Sequence, residues 1–179
     1  MGDLHVPFFQ DVETWGGVSA RDAAAALTTP ELARLIQDHY LLHSPSLIGG
    51  IITLGPWGQR HVHPDRQARV TSSTEAINHV YMREGIKQLI TDGYTYTGRA
   101  EYHRHWMLGP EGRVLVLGRC VNAGFSPRAI RSVLKQHRAY LMSERATLLV
   151  FTPDLRRLRA LMDAEPMVAA YGLPISAFR

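Results

Sequence analysis

The stretch Ser19–Val62, SARDAAAALTTPELARLIQDHYLLHSPSLIGGIITLGPWGQRHV, reads as helix, tight turn, helix and a two-stranded hairpin. Ser19 is a good N-cap, and Asp22 stands three residues on, as in a capping box with Asp in place of Glu. Ala20–Leu27 is alanine-rich and helix-prone. Thr28-Thr29-Pro30-Glu31 restarts a helix: a hydroxyl cap, a proline in the first turn, and an acid at the positive end of the dipole. This second helix is predicted over Pro30–Leu42. Leu32, Leu35, Ile36 and Tyr40 form its apolar stripe, and Arg34, Gln37, Asp38 and Leu41 point elsewhere. Ile48–Leu54 and Gln59–Val62 read as strands around the turn Gly55-Pro56-Trp57-Gly58. That order is the pattern of a winged helix-turn-helix, a common vehicle for DNA.

Working outward, residues 1–18 read as an N-terminal arm, with a short helix or strand around Val6–Trp15. Residues 19–73 form the winged module, and His63–Ser73, with Arg66 and Arg69, reads as its exit linker. Residues 74–179 then hold a bridging helix and a small α/β domain. The helix runs from about Thr74 to Thr91 and stops at Gly93. Ile77, Val80 and Tyr81 lie on one side of it, and Met82, Ile86, Leu89 and Ile90 on nearly the opposite side. A two-faced helix predicts an element packed between two layers. Gly85 either bends it or allows close packing.

Tyr94–Tyr96, Tyr102–Leu108 and Arg113–Arg119 read as a β-meander with a turn at Gly109–Gly112. Val114–Leu117 is continuously apolar, as in a strand buried on both faces. Ser126-Pro127 opens a helix to about Met142. Thr147–Phe151 is a short buried strand, which this crossover would set parallel to 113–119. Pro153-Asp154 opens a last helix to about Met162, and Gly172–Arg179 is an irregular tail or final edge strand. The fold class is therefore α/β, of the α+β kind.

No apolar run approaches the roughly 20 residues of a membrane span. The first ten residues lack the basic and apolar regions of a signal peptide, so a cytoplasmic protein is expected. The single cysteine, Cys120, excludes an intrachain disulfide and a Cys-rich zinc site, and after a buried strand it reads as an inert thiol. Residues 1–90 carry 7 Lys/Arg and 9 Asp/Glu, whereas residues 91–179 carry 13 and 7. Arginine outnumbers lysine 18 to 2, which reflects either a GC-rich coding sequence or phosphate binding.

The quoted residues resemble the replication-relaxation family of plasmid and mobile-element proteins. They are the segment Thr53-Leu54-Gly55-Pro56-Trp57-Gly58-Gln59-Arg60, the helix Ile77–Ile86, and Gly109–Gly112 leading into Val114–Arg119. The likeness covers roughly residues 19–162. It implies a winged helix joined to a domain resembling a restriction-endonuclease core. An active core of that type needs two acids and a lysine around one metal. Glu111 stands at the first position, but Leu117 falls where the second acid belongs and Arg119 where the lysine belongs. The resemblance therefore implies a non-catalytic relative with no cofactor.

The DNA-binding residues expected are Arg34 and Gln37 on the recognition helix and Gln59 and Arg60 on the wing, with His61 and His63 beside them. To these the helix 126–142 adds Arg128, Arg131, Lys135 and Arg138, four cations on one face with no acid among them. Arg156, Arg157 and Arg159 could extend that patch, although a solvated helix face is the simpler account of any charge run. Surface or wing positions are expected for His61-x-His63 and His103-x-His105 rather than a metal site. Trp15, Trp57 and Trp106 are isolated and read as packing residues. The function expected is duplex-DNA binding without cleavage, in transcription control, plasmid replication or DNA maintenance, with a homodimer as one way to span the site. The rivals are a metal-dependent nuclease using Glu111, Glu101 and His103 or His105, and a protein-interaction adaptor.

Overall fold

Ser19 and Thr28 both start helices, as their hydroxyls predict. The Ser19 Oγ accepts the Asp22 N–H at 3.0 Å. At Thr28 a full capping box forms: its Oγ1 accepts the Glu31 N–H at 3.4 Å, and Glu31 Oε2 accepts the Thr28 N–H at 2.8 Å. The computed structural model describes residues 5–65, 71–100, 104–118 and 127–178. It is an α+β protein with seven α-helices and two sheets among those residues. Arg66, Arg69, Glu101, Tyr102, His103, Arg119, Cys120 and Ser126 lie outside the described residues. Contacts divide the chain into two compact units, 1–80 with 178–179, and 81–177.

The first unit runs α1 (Val6–Trp15), β1 (Val18–Ser19), α2 (Ala20–Ala26), α3 (Thr29–Gln37), β2 (Leu41–Ser46), β3 (Gly49–Leu54) and α4 (Pro56–Val62). Its antiparallel sheet has the order β1-β3-β2, with Val18 opposite Ile52 and Leu41 opposite Leu54. This is the element and strand order of a winged helix-turn-helix, but its parts are not where the sequence placed them. The expected arm is a core helix: Phe9 and Val12 of α1 are buried with Val18, Leu35, Leu41, Ile52 and Leu54. The Phe9 ring stacks on Tyr40, planes 4° apart. Burying a phenylalanine contributes about 1.5–3 kcal/mol, which an arm could not recover.

The hairpin is also displaced. Helix α3 ends at Gln37, not Leu42, and Leu41 is fully buried at the start of β2. The wing is the turn between β2 and β3, where Ser46 Oγ accepts the Ile48 N–H and donates to the Gly49 carbonyl. Gly49 takes φ 94°, open mainly to glycine. The predicted second wing strand, Gln59–Val62, is instead part of α4. Pro56 occupies the first turn of that helix, where its missing N–H costs nothing. Pro45 is tolerated in β2 because β2 is an edge strand.

Helix α5 (Ser73–Thr91) carries the division between units, which falls at Val80/Tyr81. Asn78 through Met82 are buried in succession, which no single helical stripe produces. Ile90, expected on the second apolar face, is exposed. Gly85 lies against the Phe151 ring, where a Cβ would meet three ring carbons at 2.7 Å, so this glycine serves close packing.

The second unit continues with β4 (Thr95–Arg99), β5 (His105–Gly109), β6 (Gly112–Gly118), α6 (Pro127–Ser143), β7 (Thr147–Thr152), α7 (Arg159–Ala164) and β8 (Val168–Gly172). The sheet order is β4-β5-β6-β7-β8, antiparallel through β6 and parallel from β6 to β8. Helix α5, the three-stranded meander β4–β6, the crossover helix α6 and the parallel strand β7 follow one another in chain order. One face of the sheet (Trp106, Leu115, Leu117, Leu148, Val150, Val168) is covered by α6 and by the turn and helix at 155–164, through Ile130, Leu134, Leu141, Leu158 and Leu161. Leu149 and Phe151 are buried on the opposite face, so β7 is apolar on both faces from Leu148 to Phe151. The expected last helix begins as a 3-10 turn, Leu155–Leu158, and the edge strand lies at 168–172, just before the predicted tail. Among the described residues no helix is long and apolar enough to cross a membrane.

Candidate nucleic-acid interface

On α6 the apolar positions Ile130, Val133, Leu134 and Leu141 are buried, which turns Arg128, Arg131, Lys135 and Arg138 outward. All four are exposed, and among the described residues none has a carboxylate within ion-pair distance. The cations occupy one flank of the helix, as the spacing predicted. Arg156 and Arg159 are exposed on the segment that covers the same sheet face, whereas Arg157 is paired with Asp154 at 3.2 Å.

The winged unit carries much less charge for a phosphate. Arg34 is exposed on α3 but sits 3.6 Å from Asp38, one turn on. Glu31 is lowered from its ordinary carboxylate value by the Thr28 hydroxyl and then by the Thr28 N–H, which favours its anionic form. Gln37 is exposed. Gln59 and Arg60, expected on the wing, are on α4: the Gln59 amide donates to the Leu54 carbonyl at 3.2 Å, and the Arg60 guanidinium lies 4.8 Å from the centre of the Trp57 ring. His61 packs edge-on against Phe9, and His63 is 3.2 Å from Glu13. The wing turn itself, Ser46–Gly49, presents Leu47 and no cation.

The nuclease-like positions are apart. Glu111 is exposed at the β5–β6 turn, while Leu117 is buried in the apolar cluster beneath α6. A carboxylate at Leu117 would be desolvated there rather than presented to a cation. His105 is fully buried, with its Nδ1 3.0 Å from the Tyr96 hydroxyl. Burial raises the Tyr96 phenol above its ordinary range, and nearby Arg99 opposes that only in part. Among the described residues no three His, Cys, Asp or Glu side chains gather as a metal site.

The second unit also holds a cleft of about 820 Å³ that no local sequence pattern marks. Trp106, Arg99 and Arg113 are among the residues that line it. Tyr140 and His137 line it from α6. Arg113 lies 4.9 Å over the Trp106 ring and pairs with Glu144, and buried Arg104 donates to His137 Nε2. Only the proximity of Trp106 and Tyr140 across a meander and a helix reveals the site, and pairing across 34 residues leaves no local pattern. Set beside known proteins, the chain matches no protein family, no curated relative and no solved structure.

Proposed function

We propose that this protein binds duplex DNA without cutting it, as a non-catalytic relative of the replication-relaxation family, in the control, replication or maintenance of DNA. The observation that carries the reading is the exposed row Arg128, Arg131, Lys135 and Arg138, free of carboxylate partners among the described residues. A row of guanidinium and ammonium groups without counter-acids is a poor solvent face and a good rail for phosphates. Burial of Leu117 in the core supports the absence of nuclease chemistry. The winged unit supplies the shape for a groove, with Arg34 and Gln37 on α3 to contact bases.

Changing Arg128, Arg131 and Lys135 together to Ala should weaken binding to every duplex. It should also flatten the slope of log affinity against log salt by about 2–3, at roughly 0.9 per lost phosphate contact. Fluorescence anisotropy across a salt series measures this, and an unchanged slope would leave the row as an ordinary solvated face. Plasmid incubated with the protein and Mg²⁺ or Mn²⁺ should stay intact. Cleavage lost on Glu111→Ala would establish the nuclease alternative. A second reading, in which the winged unit docks a protein, is favoured by the balanced charge of α3 and by exposed Leu47 on the wing turn.

A further inference from the structure

The cleft of the second unit exists because of one missing side chain. Gly98 on β4 is the cross-strand partner of Trp106, on the face that α6 covers. Paired residues share a face, so any side chain at 98 would stand beside the indole. Gly98 has φ 139° at a β-bulge, and a Cβ built on it meets nothing within 4 Å. The opening therefore lies over Trp106 at the outermost strand of the sheet.

What surrounds the opening is aromatic and cationic. The Tyr140 ring, 46% exposed, stands 5.2 Å from the Trp106 ring, tilted by 52°. Arg99, exposed on the outermost strand, also lines the cleft, and Arg113 is held in place by Glu144. Arg104 can only donate, so His137 Nε2 is the acceptor in this contact. That bond fixes His137 against the sheet, one turn before Tyr140. A half-open aromatic face in a cleft also lined by arginines fits a flat ring that carries an anion. The volume falls within the roughly 300–1,000 Å³ of small-molecule sites.

Tyr140 does not belong to the cation row. Arg131 and Tyr140 are nine residues, two and a half turns, apart, so they leave opposite flanks of α6. We infer that the cleft takes one unpaired nucleotide, its base stacked on Tyr140 above Trp106 and its phosphate at Arg99. On this scheme α6 holds the duplex backbone along one flank and a splayed nucleotide on the other. Stacking plus arginine contact is the physics of single-strand binding and tolerates any base. The inference rests on the reading of this unit as a DNA binder.

The test uses the full chain with three probes: fluorescein-labelled hexathymidylate, thymidine 5′-monophosphate as competitor, and a labelled blunt duplex. Tyr140→Ala should weaken hexathymidylate binding at least about fivefold, the lower end of what one stacked base contributes. Tyr140→Phe, which keeps the ring, should bind as wild type. Arg99→Ala should weaken binding and lower its salt dependence. None of these changes should alter binding of the blunt duplex. Displacement by the monophosphate identifies any nucleotide as a ligand. With the Tyr140→Ala loss intact, lack of displacement confines recognition to nucleotides within a strand. If hexathymidylate does not bind, or binds equally to Tyr140→Ala and Arg99→Ala, the cleft inference is overturned. A wild type that holds hexathymidylate through Tyr140 but not the blunt duplex would sink the duplex reading and leave the cleft standing.

Discussion

His39 takes φ 57°, a left-handed conformation that an L side chain adopts at a cost of about 1–2 kcal/mol. It ends α3: the Tyr40 N–H reaches back to the Leu35 carbonyl, and the His39 N–H to Ile36. Glycine usually holds this position. No glycine marks the stop in the sequence, which is why the helix was expected to run on to Leu42 and Leu41 to lie off its core stripe. His39→Gly should therefore raise stability by up to about 1 kcal/mol, the relieved strain being offset in part by glycine's greater freedom when unfolded. Urea denaturation measures this, and a destabilised variant would show that the imidazole holds the turn. The helix starts, by contrast, were legible because their signals are chemical. Thr28→Ala should cost about 0.5–2 kcal/mol. The Glu31 carboxyl is lowered in the fold by its bonds to Thr28, so its contribution is complete above its ordinary value of 4.5 and fades as pH falls through the lower folded value. Thr28→Ala should thus lose less stability than wild type over that acid range, as thermal melts at stepped pH would show.

At the scale of elements, the errors and successes divide by where the deciding contacts lie. The crossover helix, the β5–β6 turn and the parallel pairing of β6 with β7 follow from apolar period, turn residues and handedness, all of which are written locally. The wing was misplaced because Gly55-Pro56-Trp57-Gly58 carries turn residues that also suit a helix start. The decision is tertiary: Gly55 and Gly58 press against the backbone of His39 and Tyr40, where a Cβ would come within 2.3 Å and 2.2 Å of a carbonyl oxygen. The same kind of close approach fixes α5 against its sheet. Gly85→Ala would drive a methyl into the face of the Phe151 ring, and the ring is fully buried with no free direction to yield. The higher helix propensity of alanine contributes under about 1 kcal/mol, against about 1–3 kcal/mol for overpacking, so destabilisation should win. A variant more stable than wild type in guanidinium unfolding would mean that Phe151 rotates aside. Of the site, the α6 cations were legible as a periodic row, and the cleft was not, since Gly98 acts by lacking a side chain.

For the whole molecule, charge is segregated between the two units. Residues 81–177 carry a net formal charge of +6, and residues 1–80 with 178–179 carry −2. Two facts from the winged unit sharpen that contrast. The one arginine of α3 shares its field with Asp38, an exposed pair worth only about 0.3–0.5 kcal/mol, and the carboxylate opposes any attraction for a phosphate there. Its wing turn has no cation at all. Non-specific affinity comes from phosphate contacts, and discrimination comes from base edges. If the proposed function holds, the two properties are therefore carried by different units of one chain. Changing Arg34 and Gln37 together to Ala should leave the salt slope within about one unit of wild type, since at most one phosphate contact is lost. The same variant should narrow the ratio between a preferred and a random duplex, each lost base contact being worth about 1–3 kcal/mol of discrimination. A selected duplex is obtained first by rounds of enrichment with the wild-type protein, and both duplexes are then titrated at several salt concentrations. If instead the α3 variant lost its salt slope while the α6 triple variant kept it, the charge assignment would be reversed and the winged unit would be the phosphate binder. If neither variant moved either quantity, the balanced surface of α3 would point to a protein partner.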